Sequence, residues 1–315
     1  DLVVVVVGYT KRDEGEFIDN AATGELTGQL FPPTDHPALG FPPSASTSAD
    51  GDGSLVDNAS SADDAPPIDD EATGGMARGG DRASLRLSTE DEALIATAVA
   101  VSERVVVVVQ CGSAVVMPWA ESVPGLLVTW YPGVEGGTAL AEVLSGAQEP
   151  GGRLPFAIPT DETHLVHFDR DATEETYGLI HGQWKLDADH RQAHFPFGSG
   201  SGFTTFDVAA SVADAASDAV GVTVTNTGER SGSTVLFAHA GVPGSSIERP
   251  PWRLIGFQRV EVDGEDSVKT SIELDWSQLD VRRDGGWWTE PGSYRVRIGQ
   301  DASTPIAEFT FERPT

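Results

Sequence analysis

The residues whose chemistry stands out first are acids set close together. Asp13-Glu14-Gly15-Glu16-Phe17-Ile18-Asp19 places four carboxyl groups within seven residues. Carboxylates at that spacing repel one another and raise a pKa, as a group that must donate a proton near neutrality requires. A solvated acidic loop has the same composition, and residue types alone leave both readings open. A further acid, Glu135, lies in Gly133-Val134-Glu135-Gly136-Gly137, close behind Trp130 and Tyr131. Indole and phenol rings stack on sugars, and aromatics at strand ends also fill cores. Glu135 has two readings too, a ligand contact or an acid favoured by the dipole of a helix N-terminus. Asp81 and Arg82 form either a bidentate pair that orders the acidic loop or a plain surface pair. His164, His167, His181, His190 and His194 have no metal-ligand spacing. Motifs for phosphate loops, zinc sites and lipase elbows are absent, so no cofactor or metal is expected.

The elements that must carry these groups read as two patterns. The opening run Leu2 to Val7, closed by Gly8, is β-branched and looks like a fully buried strand. It is too short for a membrane span of about 20 apolar residues and has no basic stretch before it, unlike a signal peptide. A chain that opens inside a core strand reads as one whose start lies upstream. Ser88-Thr89-Glu90-Asp91 starts a helix over residues 91–102, which leads into a second buried strand over 104–110. A third strand covers 125–131, a turn 133–137, and a helix 138–144. Short alternating units of this kind make a mainly parallel α/β sheet with helices on its faces. Ligands of such sheets sit beyond the carboxyl ends of the strands, where residues 9–17 and 130–135 fall.

Beyond residue 207 the helical signals stop. Strands over 220–226, 234–240, 254–262, 268–274 and 293–298 predict an antiparallel sandwich of the immunoglobulin or fibronectin type. The expected domains are therefore 1–206, an open α/β sandwich, and 207–315, an all-β sandwich. Residues 20 to about 78, rich in Gly, Pro, Ser, Asp and Ala, read as a largely disordered insertion in the first.

Net charge is −29, which argues against a nucleic-acid partner because phosphates repel such a surface. The basic residues are nearly all arginine; Lys11, Lys185 and Lys269 are the only lysines. Adaptation to salt and a GC-rich genome each account for that bias. The one cysteine, Cys111, follows the second valine run and is expected to be buried; it forms no internal disulfide. Nothing here points to a membrane or fixes a compartment.

Several segments resemble glycoside hydrolase family 3, in that family's order. Gly79-Gly80-Asp81-Arg82, Leu85-Arg86-Leu87 and Glu92-Ala93-Leu94-Ile95 are similar to its "GDR…L.L…ELI" stretch. Gly112 to Trp119 resembles "GSPVEMPW", and Trp130 to Gly137 resembles "WYPGQEGG". Glu149 to Pro155 is similar to "NPSGRLP", and Phe195 to Phe206 to "FPFGHGLSYTTF". Asn226-Thr227-Gly228, Arg249-Pro250 and Leu254-Ile255-Gly256-Phe257 resemble its fibronectin-like domain. The likeness covers everything except residues 20–78.

The resemblance implies a retaining hydrolase of β-linked glucosides, xylosides or related sugars. It also implies an Asp nucleophile on a (β/α)8 barrel that precedes the α/β sandwich, supplied in cis or in trans. Neither that barrel nor the first sandwich strands can be read in this chain, so it is expected to be inactive alone. In many members the acid/base Glu follows the strand that opens this chain, within "GEGYD" or "SEGFD". Glu14 fits through Glu14-Gly15, while Glu16 keeps the distance to the aromatic; Glu14 is favoured and Glu16 is the alternative. Asp81, Arg82, Trp130, Tyr131 and Glu135 become candidate substrate contacts. A competing reading is a non-catalytic module for carbohydrate binding or protein association.

Overall fold

A computed structural model describes residues 2–9, 82, 84–169, 172, 174–212 and 218–313. Glu14, Glu16, Asp81 and the insertion expected over 20–78 lie outside these residues. The chain divides into two units. One holds residues 1–8, 84–169 and 173–315; the other holds 9–83 and 170–172.

The first unit opens with a parallel sheet. Strands β1 (Val3–Gly8), β2 (Val105–Gln110) and β3 (Gly125–Val128) lie in that order, with Val3 opposite Val105 and Val106 opposite Gly125. Helix α1 (Thr89–Val101) joins β1 to β2 in sequence, packs on both and buries Ile95 and Ala98. Its N-terminus is capped by Ser88, whose hydroxyl accepts from the Asp91 amide at 3.1 Å, and three acids in the first turn face the positive end of the dipole. Helix α2 (Gly136–Ser145) follows β3 and ends on Gly146 in the left-handed region at φ 74°, a position that suits glycine.

The two valine runs differ in burial. In β2, Val105, Val107, Val108 and Val109 are all buried, as expected of a central strand. In β1 only Val5 and Val7 are buried, while Val4 and Val6 are exposed, Val6 by 55%. The expectation that the opening strand is buried on both faces is therefore corrected. Among the described residues β1 is an edge strand, and burial reaches only one of its faces. Cys111, just after β2, is buried as expected.

Past α2 come a two-stranded antiparallel sheet, β4 (Ile158–Pro159) with β5 (Ala193–Phe195), and the short helix α3 (Gln183–Ala188). The rest is antiparallel. Strands β6 (Phe206–Ser211), β7 (Ala219–Asn226) and β10 (Ser267–Glu273) form one sheet, ordered β10-β7-β6. Strands β8 (Gly232–Gly241), β9 (Arg253–Val262), β13 (Gly292–Gly299) and β14 (Pro305–Arg313) form the other, ordered β14-β13-β8-β9. Inward residues of both sheets make one core, including Val220, Val222, Val224, Leu236, Ile272, Val296 and Ile298. Strand β7 alternates strictly, with every second residue buried.

Two buried polar side chains of the sandwich, Asn226 and Tyr294, are hydrogen-bonded to its backbone. The Asn226 amide donates to Arg230 O (2.7 Å) and Val262 O (3.1 Å) and its oxygen accepts from the Gly228 amide (3.0 Å). Tyr294 donates to Glu290 O four residues upstream, as in the tyrosine corner of immunoglobulin-type folds. A hairpin of β11 (Val281–Arg283) and β12 (Gly286–Trp288) stands apart as a two-stranded sheet. Arginines tie the sandwich to the end of the α/β part. Arg259 donates to Gly151 O (3.0 Å) and Ser233 Oγ (2.7 Å), and Arg230 donates to Gly146 O (2.6 Å).

Candidate active site

In a parallel sheet all strands end on one side, so the carboxyl ends of β1 and β3 lie together, two strand spacings or about 10 Å apart. Each end has a distinctive backbone. β1 stops at Gly8, with φ 145°, and a Cβ there would sit 1.9 Å from the carbonyl oxygen of Gln110. Only glycine allows the chain to leave β1 this close to β2. Six residues later in sequence comes Glu14.

At the end of β3 the ladder continues one residue further, with the Thr129 amide donating to Val109 O at 3.0 Å. Trp130 then breaks the strand by adopting φ 53°. A bulky residue in the left-handed region costs roughly 1–2 kcal/mol, and such strain gathers at functional sites and turns. Trp130 is half-buried and meets Phe156 edge to face, ring centres 5.5 Å apart. That contact offsets part of the strain and leaves the indole anchored. Strand β3 therefore ends at Val128, short of the expected 131.

Tyr131 is 51% exposed, at the start of a turn held by the Gly136 amide donating to Gly133 O (3.2 Å). Gly136 is packed so closely on Pro132 that a Cβ would lie 2.4 Å from its ring. Glu135 takes the N-cap position of α2, but its side chain closes no cap hydrogen bond and stands exposed. Its place at the helix N-terminus agrees with the dipole reading, and its exposure leaves the ligand-contact reading open beside it. Trp130, Tyr131 and Glu135 thus share one turn past the carboxyl end of β3.

Arg82 belongs to the second unit, with its guanidinium 4.0 Å from the ring centre of Tyr9. Its shown contact is this cation–π pair; Asp81 lies outside the described residues. Sequence reasoning did not single out Tyr9, because an aromatic just past a strand carries no distinguishing signal. Phe156, behind Trp130, was missed for the same reason. The stretch around Arg86 is fixed by carboxylates. Glu162 accepts from the Leu85 amide at 2.6 Å and from Ser84 Oγ, and Arg86 Nε donates to Glu92 Oε1 at 2.9 Å. The nearby Val116 amide donates to Leu85 O at 2.8 Å, which sets the family-like segment 112–119 against it. Among the described residues no group of three or more His, Cys, Asp or Glu could hold a metal. No helix among them is long and apolar enough to cross a membrane.

Comparison with known proteins agrees with this architecture. The glycosyl hydrolase family 3 C-terminal domain matches residues 1–203, and the fibronectin type III-like domain matches 235–302. The chain is 33% identical over 252 residues to the β-glucosidase BoGH3A of Bacteroides ovatus, covering 74% of this chain and 34% of that one. It is 35% identical over 246 residues to β-glucosidase B of Emericella nidulans, covering 70% and 29%. Among solved structures, DesR, a β-glucosidase from Streptomyces venezuelae in complex with D-glucose, superposes with a TM-score of 0.68 at 26% identity, covering 75% and 32%. The chain spans about a third of the length of these relatives. On the match over residues 1–203 and on the parallel sheet that carries it, the chain belongs to glycosyl hydrolase family 3, with that family's C-terminal domain and a fibronectin type III-like domain.

Proposed function

We propose that this chain supplies the general acid/base to the active site of a retaining β-glycosidase of β-glucosidase type, with Glu14 in that role and Glu16 as the alternative. The nucleophile comes from a (β/α)8 barrel joined in cis or bound in trans. The domains divide near residues 206 and 207. The observation that supports the reading is the family match over residues 1–203, within which Glu14 follows Gly8 by six residues in sequence.

The chemistry needs both parts. A retaining enzyme attacks the anomeric carbon with one carboxylate and protonates the leaving oxygen with a second, about 5–5.5 Å away. The acid must hold its proton near neutrality, and the neighbouring carboxylates Asp13, Glu16 and Asp19 favour that. After the glycosyl-enzyme forms, the same residue acts as base and takes a proton from water. Trp130, Tyr131 and Glu135 form the wall contributed by β3, with Tyr131 for stacking and Glu135 for a hydroxyl. Arg82, held on Tyr9, acts as a fixed donor on the second unit.

The purified chain alone should not hydrolyse aryl β-glucosides, whereas joined to or mixed with a family barrel it should. In that assembly Glu14→Ala should abolish turnover of substrates with poor leaving groups. It should spare formation of the glycosyl-enzyme from an activated aryl glucoside, and azide should restore turnover of that substrate by replacing water. Azide rescue in Glu16→Ala, with Glu14→Ala near normal, moves the role to Glu16. Absence of leaving-group discrimination in both removes the assignment.

A further inference from the structure

The β11–β12 hairpin has a feature the proposed acid/base role does not use. Its turn, Asp284-Gly285, takes φ 50° and 82°, a backbone that suits Asp-Gly and the twist of a two-residue connection. Arg282 lies directly opposite Trp287, and Val281 opposite Trp288. In a two-stranded ribbon these pairs point to opposite faces. Trp288 is half-buried, with the Arg283 guanidinium 4.8 Å from its ring. Trp287 is 69% exposed, more than any other Phe, Tyr or Trp among the described residues. The Arg282 guanidinium sits 5.2 Å from the Trp287 ring centre, and the high exposure leaves the indole open to a ligand.

The surroundings discriminate between ligands. Trp287 is flanked by Arg282, Arg283, Asp284, two glycines and Thr289, with no second exposed apolar side chain in the ribbon. A protein interface of ordinary size wants about 800 Å² per partner around an apolar centre, which one indole does not provide. At the foot of the hairpin is a cleft with a mainly apolar lining that includes Leu179, Val242 and Pro250, and with Glu248, Arg253 and Gln278 as polar groups. Planar amide, carboxylate and guanidinium groups bind vicinal hydroxyls, and an exposed indole stacks on the axial C–H face of a pyranose. β-Glucopyranose has all its hydroxyls equatorial, so it offers such faces on both sides. The chain's charge of −29 opposes acidic polysaccharides and leaves a neutral glycan at no disadvantage.

We infer that the β11–β12 hairpin is a glycan-binding platform, in which Trp287 stacks on a pyranose of a neutral β-glucan chain and the cleft beside Val281 takes the hydroxyls of the next sugar. The choice of β-glucan rests on the β-glucosidase reading above; the platform itself does not. The test is affinity electrophoresis of the full chain through gels containing barley mixed-linkage β-glucan, laminarin or dextran. Sedimentation velocity is run alongside. Binding needs no hydrolysis, so it is measured independently of the acid/base.

The expected result is retardation by a β-glucan, weakened at least tenfold in Trp287→Ala and kept within threefold in Trp287→Phe, with identical circular dichroism for all three. Retardation by dextran alone, lost in Trp287→Ala, retains the platform but removes the β-glucosidase-based choice of ligand. Failure of every polysaccharide to retard the chain overturns the inference, as does equal retardation of Trp287→Ala. So does a self-association that Trp287→Ala abolishes without any effect on glucan binding, since the surface then serves a second copy of the chain.

Discussion

Gly8 and Gly133 both adopt positive φ, at 145° and 68°, yet the structure assigns them different costs on substitution. At Gly133 a Cβ meets nothing within 4 Å, so Gly133→Ala carries only the backbone term, about 1 kcal/mol. At Gly8 the same term applies, and the new methyl also falls 1.9 Å from Gln110 O and 2.8 Å from Gln110 N. An ordinary C···O contact is about 3.3 Å, so β1 and β2 must part by more than an ångström at their carboxyl ends. A relaxation of that size in a packed core costs about 1–3 kcal/mol beyond the backbone term. Gly8→Ala should therefore destabilise by about 2–4 kcal/mol and Gly133→Ala by about 1. Scanning calorimetry, with the α/β and sandwich transitions followed separately if they separate, should show the α/β transition of Gly8→Ala lowered by roughly 5–15 °C and that of Gly133→Ala by roughly 2–4 °C. Equal shifts for the two variants, or a larger one for Gly133→Ala, would refute the claim that β1 leaves the sheet against Gln110.

Two further outcomes follow from the sandwich domain. His239 is buried beside Phe197, Phe237 and Arg297, and burial first, then the Arg297 charge, lowers its pKa from 6.5 to about 4. The folded state thus refuses a proton that the unfolded chain accepts, and stability present above pH 6.5 is lost as pH falls to about 4, by about 3 kcal/mol in all; urea titrations of His239→Gln should be flatter over that window, and an unchanged slope counts against it. Glu290 is buried too. Burial raises its pKa, but donation from Ser245 and Ser246 and the charge of Arg249 outweigh that and hold it at about 2. Arg249→Met should cost about 1–3 kcal/mol by removing the charged partner of Glu290 while Ser245 and Ser246 still donate to it, and adding Glu290→Leu should recover part of that; chemical denaturation showing the double variant less stable than the single contradicts this account.

Much of the fold was legible because the period of the apolar pattern survives in the chain. The alternation Val220-Gly221-Val222-Thr223-Val224 becomes β7 with the valines inward, and Ser88 ahead of Glu90 and Asp91 does cap α1. The valine runs were legible as strands but not in their burial. An unbroken apolar run contains no period, so the place of each strand in the sheet and the covering of its faces had to come from the structure, which separates edge β1 from central β2. The hairpin was missed because runs of three residues are too short to show alternation, although Asp284-Gly285 is a turn signal. The left-handed Trp130 has no local signal at all. Its conformation is imposed by Phe156 behind it and by the turn that follows. The candidate acid is a different case, since Glu14 and Glu16 lie outside the described residues and rest on the family pattern.

The arginine bias acquires a structural use beyond salt adaptation or genome composition. The guanidinium of Arg297 lies 3.5 Å from the ring centre of Trp252, that of Arg313 3.8 Å from Trp276, and that of Arg82 4.0 Å from Tyr9. Arg259 bridges Gly151 and Ser233, using two nitrogens of one plane to join the α/β part to the sandwich. A planar, weakly hydrated cation stacks on an indole and still donates along its edge; a lysine ammonium does one or the other. In a chain with 20 basic and 49 acidic side chains, positive charge is scarce, and these arginines place it against aromatic faces and backbone carbonyls, with Arg313 also pairing Asp218. That arrangement survives high salt better than surface ion pairs would, because stacking and hydrogen bonds to neutral acceptors depend less on charge–charge attraction. The contacts that hold the two folds together are therefore those least sensitive to the ionic strength that an acidic surface tolerates.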